Sequence, residues 1–169
     1  MSASVLLDTS FLISLVNERR PHHAAATQYY RYLLKNDLPM YFSAVVASEF
    51  GIKQPITELP LKNFRILDFN LTHGQKAASL WTTLGQRDDE DARAVVRDDV
   101  KLLAQAARED IDFILTEDAS SLYRYCERLR SAGQLQTRAL MLKDGFDAGI
   151  LRDDGQRDWI DDPADIPDS

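Results

Sequence analysis

The sequence predicts an α/β fold of three layers, in which helices cover both faces of a central, mostly parallel sheet. Short apolar runs of strand length alternate along the chain with longer segments whose apolar residues recur at helical spacing. This alternation is typical of parallel sheets, because each strand is followed by a helix that packs on one face. With 44% hydrophobic and 28% charged residues, the 169-residue chain has the composition and length of one globular domain.

The predicted strands and helices follow one another in order. The strands are Ser4–Leu7, Met40–Phe42, Arg65–Asp68, Asp112–Thr116 and Arg138–Met141. The helices run from about Phe11 to Val16, His22 to Asn36, Ala44 to Lys53, Thr72 to Leu84, Ala92 to Glu109 and Ala119 to Arg130.

Two helices carry sequence signals for their ends. Ser43 directly precedes the third helix and is a preferred N-cap residue. Thr72, with Gln75 three residues later, has the form of a capping box, and Gly85 is a stop signal for the same helix. The sequence therefore predicts that the fourth helix begins at Thr72.

The chain is predicted to form one domain over residues 1–151, followed by an acidic tail over residues 152–169. The tail is rich in Asp, and we expect it to be solvated and anchored by Trp159 and Ile160.

The single cysteine, Cys126, rules out an internal disulfide and a Cys-rich zinc site. No signal-peptide pattern and no apolar run of about 20 residues is found, which predicts a cytoplasmic protein without a membrane span.

A net charge of −7 argues against nucleic-acid binding through bulk electrostatics, because that mode needs a basic face. The objection loses weight if the acids cluster around a cation, since bound divalent ions reverse the local sign of the charge.

Two acids follow predicted strands directly. Asp8 ends the first strand, and Asp118 follows the strand that ends at Thr116. Ligands of parallel sheets bind at the carboxyl ends of the strands, so both acids are candidates for a common site. Each could instead be only a helix N-cap.

Asp99 is the third candidate, because the helical period places it between Val95 and Leu102 on the apolar face of its helix. A charge on such a face is costly unless it is paired, hydrogen-bonded or bound to metal. Its neighbour Asp98 is predicted to lie at the surface, with a supporting role at most.

Glu49 is the fourth candidate and repeats this pattern in the third helix, where it shares a face with Val45 and Ile52. A half-exposed surface acid is the alternative interpretation. One cation site explains all four acids together.

All-oxygen ligation by carboxylates favours Mg²⁺ or Mn²⁺. Zinc is disfavoured, because His22 and His23 are adjacent and His73 stands alone, without metal-binding spacing. We interpret these histidines as exposed loop or helix-start residues. A divalent ion that activates a water predicts phosphodiester hydrolysis.

Four segments, in order, resemble the PIN domain family. They are Leu6–Ile13 around Asp8, Ser43–Phe50 around Glu49, Asp99–Ala106, and Leu115–Asp118. The resemblance implies a five-stranded parallel sheet, a Mg²⁺ or Mn²⁺ site formed by the four acids, and cleavage of RNA. Ser10 and Thr116 match positions whose hydroxyls support the site. Many bacterial relatives are VapC-type toxins, which implies an antitoxin partner and a homodimer.

Other classes fit less well. A receiver domain needs an acidic pair after the first strand and a strand-end Lys, and a haloacid-dehalogenase phosphatase needs Asp-x-Asp where this chain has Asp8-Thr9-Ser10. The alternative that the chain is a catalytically idle PIN-like module that binds protein or RNA stays open.

Candidates for contacts with RNA phosphates are Arg19, Arg20, Lys53, Arg93, Arg97 and Lys101, each of which could also be an ordinary surface charge.

Overall fold

The central sheet has five strands, all parallel, in the order β3-β2-β1-β4-β5. It is seen in a computed structural model that describes residues 3–85, 93–118 and 120–152. The predicted fold class is confirmed. The strands are β1 (Val5–Leu7), β2 (Met40–Ser43), β3 (Arg65–Leu67), β4 (Phe113–Thr116) and β5 (Arg138–Met141).

Helices connect the strands, and most were predicted within a few residues of their observed bounds. They are α1 (Thr9–Val16), α2 (His23–Lys35), α3 (Ala44–Lys53), α4 (Leu71–Leu84), α5 (Arg93–Arg108), α6 (Leu122–Ser131) and α7 (Ala148–Leu151). Three short 3₁₀ turns, Ile56–Glu58, Leu61–Asn63 and Leu142–Asp144, were not predicted, and neither was α7.

Strand β1 lies at the centre of the sheet and fixes its register. Val5 pairs with Met40 of β2 on one side and with Phe113 of β4 on the other. All three residues of β1 are fully buried. Central strands of parallel sheets are covered on both faces and are therefore apolar throughout. The carboxyl end of β1 consequently emerges in the middle of one edge of the sheet.

The predicted capping box of α4 is wrong by two residues. The N-cap is Asn70, whose side-chain oxygen accepts the His73 N–H at 3.1 Å, while His73 Nδ1 accepts the Asn70 N–H at 3.1 Å. Thr72 lies inside the helix, and its hydroxyl donates to Asn70. The extended backbone of Asn70 places its short amide directly over the first free N–H groups, so the earlier residue caps the helix.

His73 is also more buried than we expected. It stands at a helix start, as predicted, but it is enclosed, and its Nε2 lies 2.7 Å from Glu109 Oε1. Because Nδ1 accepts the Asn70 N–H, the ring carries its proton on Nε2 and donates it to Glu109. The histidine thus joins α4 to the end of α5.

Helix α6 begins at Leu122, three residues later than predicted. The Asp118 side chain accepts the N–H groups of Ser120 and Ser121, which holds these residues in a turn before the helix.

Trp159 and Ile160, the predicted anchors of the tail, lie outside the described residues. Within the described part of the chain, no helix is long and apolar enough to cross a membrane.

A buried polar contact ties β2 and α3 to α5. The Ser43 hydroxyl caps α3 by accepting the Val45 N–H at 3.0 Å, and it donates its own proton to Gln105 Oε1. The Gln105 amide also donates to the Asp68 carbonyl at 3.2 Å, just after β3. Ser43 and Gln105 are both fully buried. The predicted cap is therefore confirmed, and it belongs to a connection that fixes α3 against α5.

We expect Ser43→Ala to lower the free energy of unfolding by about 2–4 kcal/mol, measured by urea titration. The loss combines a missing N-cap, about 1 kcal/mol, with a buried Gln105 oxygen that has lost its donor, about 1–3 kcal/mol. Ser48→Ala is the control, because its hydroxyl bonds Val45 O at the surface; it should change stability by less than about 0.5 kcal/mol. Equal losses in the two variants would contradict a specific role for the buried contact.

Candidate metal centre

Asp8 leaves β1 at the carboxyl edge of the sheet and is nearly enclosed, with 8% of its surface exposed. Its backbone N–H donates to Leu115 O at 3.1 Å, which extends the pairing of β1 with β4. Although Asp8 stands at the N-cap position of α1, its side chain makes no capping hydrogen bond. The capping interpretation therefore does not account for this buried carboxylate.

Two hydroxyls, one from α1 and one from the end of β4, hold the Asp8 carboxylate. Thr116 Oγ1 donates to Asp8 Oδ2 at 2.7 Å, and Ser10 Oγ donates to the same oxygen at 2.8 Å. The hydroxyls are themselves oriented, since Ser10 accepts the Glu117 N–H and Thr116 accepts the Asp118 N–H. The end of β4 is thus fastened to the end of β1 through the supporting hydroxyls that the sequence singled out.

Asp99 and Asp118 meet at a serine that sequence reasoning missed. Ser121 Oγ lies 2.6 Å from Asp99 Oδ2 and 2.6 Å from Asp118 Oδ2. A hydroxyl has one proton, so it can donate to only one carboxylate at a time. Asp118 also caps the turn before α6 through Oδ1, so the predicted capping role is present while Oδ2 contacts Ser121. The only sequence signal for Ser121 was its position three residues after a strand-end acid.

Glu49 lies beside the buried stripe of α3 rather than on it. Val46 and Phe50 form that stripe, whereas Ile52 is 86% exposed, so the predicted face shared with Ile52 is wrong. The side chain of Glu49 reaches α1 and accepts the Thr9 hydroxyl at 2.7 Å on Oε2.

Asp99 shows the same displacement in α5. Val95 is 47% exposed, and the buried stripe runs through Val96, Val100 and Leu103. Asp99 is partly buried at the margin of this stripe, not at its centre as predicted. Consecutive helical residues point about 100° apart, so burial of Val96 instead of Val95 turns Asp99 from the centre of the buried face to its margin.

The electrostatics show that the four acids, here called the acidic centre, lie within reach of one another. The pKa of Asp99 is raised to about 8, chiefly by burial, and the charges of Asp8, Asp118 and Glu49 add to the rise against the lowering effect of the Ser121 hydrogen bond. Burial, with the charge of Glu49, also raises the pKa of Asp8. Burial acts on Asp118 in the same direction, but hydrogen bonds from Ser121 and Ser120 outweigh it and lower the pKa of that carboxyl.

The acidic centre fits a hard divalent cation by donor type and charge, because it offers only oxygens and its carboxylates repel one another. Its side chains are not yet arranged around an ion: among the described residues, no three Asp, Glu, His or Cys side chains converge in metal-binding geometry. Hydroxyls of Thr9, Ser10, Thr116 and Ser121 take up carboxylate oxygens instead. Cation binding would replace part of this hydrogen bonding.

The remaining predicted residues lie around the acidic centre or at the surface. Asp98 is half-exposed and its carboxylate lies 3.5 Å from Lys101 Nζ. Arg20 is paired with Glu117, while Arg19, Lys53 and Arg97 are exposed. The side chain of Arg93 lies outside the described part of the chain. Two surface cavities, of about 490 and 1020 Å³, are not lined by any of the four acids.

The fold and the acidic centre define a class of protein that comparison with known families identifies. A model of the PIN domain family matches residues 5–128. The chain therefore belongs to the PIN domain family, as its four motifs predicted. PIN domains generally use divalent metal ions.

Several solved structures share the fold. VapBC2 from Rickettsia felis, bound to a DNA fragment from its promoter, is 17% identical, with a TM-score of 0.56 over 80% of this chain and 97% of that one. VapC20 from Mycobacterium tuberculosis, described as a sarcin-ricin loop cleaving toxin, is 17% identical, with a TM-score of 0.53 over 80% and 99%. FitAcB from Neisseria gonorrhoeae is 15% identical, with a TM-score of 0.56 over 82% and 98%.

No curated protein matches the chain by sequence.

We expect Asp99→Asn to stabilise the metal-free protein at high pH. Folded Asp99 keeps its proton up to about pH 8, whereas unfolded Asp releases it near 3.8. The folded state therefore binds more protons between these values, and wild-type stability falls as pH rises through this window. In thermal melts with EDTA, the melting temperature of the variant relative to that of wild type should rise by a few degrees between pH 5 and pH 8.5. About 1 kcal/mol corresponds to 2–4 °C for a protein of this size.

Asp98→Asn is the matched control, because Asp98 is half-exposed and paired with Lys101 on the same helix. It should show no such gain. Added Mn²⁺ should raise the melting temperature of wild type more than that of Asp99→Asn, because a ligand of the folded state stabilises it. A difference between Asp99→Asn and wild type that does not change with pH would contradict the raised pKa.

Proposed function

We propose that this chain is a metal-dependent endoribonuclease. The observation that carries the proposal is the gathering of four carboxylates at the carboxyl edge of a PIN-family sheet, where burial raises the pKa of Asp8 and raises that of Asp99 to about 8. Perturbed acids that are held together at a strand edge are typical of functional sites, since core stability alone would select against them.

Mg²⁺ or Mn²⁺ would be held by Asp8, Glu49, Asp99 and Asp118. When bound, the ion supplies a water of lowered pKa and stabilises charge on the phosphate. The protein's own contribution is positional. The hydroxyls of Ser10 and Thr116 orient Asp8, and Thr9 orients Glu49. Such supporting contacts fix ligand orientation and commonly decide metal affinity.

RNA is the substrate that the site supports best. Neither surface cavity, of about 490 or 1020 Å³, is lined by the four acids, which lie at the edge of the sheet, and a site at a sheet edge suits a polymer better than a small phosphate ester. Cations at the surface near this edge, Arg20 among them, can contact the backbone of a strand. The fold is also that of VapC20, which is described as cleaving the sarcin-ricin loop.

We extend the proposal to a toxin role with an antitoxin partner in the cytosol. Its support is the shared fold with VapBC2 and FitAcB. A homodimer stays a prediction. A catalytically idle PIN module that binds RNA or protein is the alternative, and the observation that favours it is that hydroxyls, rather than a converging set of acids, engage the carboxylate oxygens.

Cleavage of a mixed single-stranded RNA pool in Mn²⁺ tests the enzymatic proposal. We expect wild type to cleave, EDTA to abolish cleavage, and Asp8→Asn and Asp99→Asn each to reduce the rate at least about 100-fold, because each loses an anionic ligand. Asp110→Asn is the control, since Asp110 is an exposed acid before β4, at the opposite edge, with a left-handed backbone that Asn tolerates.

Equal cleavage by wild type and both site variants would sink the assigned site. RNA binding without cleavage by wild type would favour the idle module.

The toxin role is tested by induced expression in a bacterial host. Wild type should arrest growth, whereas Asp99→Asn, expressed to the same level, should not, because growth arrest depends on cleavage. Normal growth with active wild-type protein would argue against a toxin. Arrest by both proteins would assign the toxicity to something other than the acidic centre.

A further inference from the structure

Glu117 is a fifth acid at the carboxyl edge, between Thr116 and Asp118, but its side chain is committed elsewhere. Its Oε1 accepts the hydroxyl of Ser14 in α1, and its Oε2 accepts Arg20 Nη2 at 2.8 Å. Both oxygens are therefore engaged by α1 and by the turn that follows it. Glu117 therefore binds the guanidinium of Arg20 and is not a member of the acidic centre.

Arg20 is held at both its backbone and its side chain. Its N–H donates to Asn17 O at 3.0 Å, and its carbonyl accepts the His23 N–H at 3.1 Å. The side chain of Arg20 is 44% exposed, while that of Glu117 is only 11% exposed. One side of the guanidinium is thus fixed by a largely buried carboxylate, and the other side faces solvent. Arginine has five N–H donors in a planar fork, so donors remain for a second anion.

This pair is connected to the acidic centre by short contacts. The Glu117 N–H donates to Ser10 Oγ at 2.8 Å, and Ser10 donates to Asp8 Oδ2 at 2.8 Å. Glu117 also directly precedes Asp118 in the chain. The carboxylate that holds Arg20 therefore belongs to a residue whose backbone contacts the acidic centre, and under the proposed function that centre receives a polyanion although it carries four carboxylates.

We propose that Glu117 is a positioning residue that holds Arg20 for contact with an RNA phosphate beside the acidic centre. The inference rests on the proposed ribonuclease function. Glu117 neutralises the charge of Arg20, so RNA binding gains from the fixed orientation of the guanidinium rather than from net charge. A guanidinium that is fixed before binding loses less conformational freedom when it donates to a phosphate. A half-exposed ion pair by itself stabilises a fold little, so stability alone does not explain the arrangement.

The sign of the effect of Glu117→Gln separates this proposal from simple electrostatics. By charge alone, removing an acid near the site would tighten RNA binding. If Glu117 acts by holding Arg20, the variant should instead bind about 3-fold more weakly. Arg20→Ala should weaken binding about 5- to 10-fold, and Arg20→Lys should lie between Arg20→Ala and wild type, since it keeps the charge but not the fork. The double variant should bind no more weakly than Arg20→Ala, because the two residues act through one contact.

The experiment measures Kd for a labelled single-stranded RNA pool in Ca²⁺ by fluorescence anisotropy, and KM and kcat for its cleavage in Mn²⁺. We expect KM to rise with Kd while kcat changes less than about 2-fold, the pattern of a lost binding contact. Arg108→Ala and Asp110→Asn are charge-matched controls, since both residues are exposed near the opposite edge of the sheet. Thermal melts without RNA check that each variant is folded.

Tighter or unchanged binding by Glu117→Gln, or additive losses in the double variant, would overturn the positioning role. A fall in melting temperature with kcat reduced and KM unchanged would overturn it too, in favour of a purely structural pair. If wild type binds RNA without cleaving it, the ribonuclease proposal fails while the binding series still decides the role of Glu117. Absence of any RNA binding by wild type would overturn both proposals.

Discussion

The in-register parallel pairing of β1 with β4 is the constraint on which the acidic centre depends. Leu7 pairs with Leu115, and the Asp8 N–H continues the ladder to the Leu115 carbonyl. Asp8 therefore leaves the sheet at the level of Thr116, whose hydroxyl reaches it at 2.7 Å. A slip of one residue would turn every side chain of β1 to the opposite face and break the contacts between the two strand ends.

The acidic centre destabilises the folded state locally, and the rest of the domain offsets this loss. Buried carboxylates close to one another resist ionisation, and the raised pKa values of Asp8 and Asp99 express that resistance. Hydroxyls such as those of Thr116 and Ser121 satisfy part of the hydrogen-bonding requirement without adding charge. Around them, the fully apolar strand β1 and large buried aromatic side chains provide the stability that lets such a site persist.

Most of the fold was predictable, because its signals are local. A strand buried on both faces is an apolar run, and an acid that ends such a run, as Asp8 does, is recognisable without any partner. The helical acids were harder to place. Helical spacing identified Asp99 and Glu49 as unusual, yet it put Val95 and Ile52 inside, where the structure exposes them. Spacing gives the orientation of residues relative to one another, whereas packing against the sheet decides which side is buried.

The sequence by itself determined the order of the five strands and of the first six helices, and it singled out four acids, two of them directly after strands. Only the tertiary structure decided which groups support it. Ser121 bridges Asp99 and Asp118, and Arg20 meets Glu117 across 97 positions of sequence. Such contacts depend on how α1 and α5 pack against the end of β4. No periodicity or local motif encodes that packing, because it results from the burial of the whole core at once.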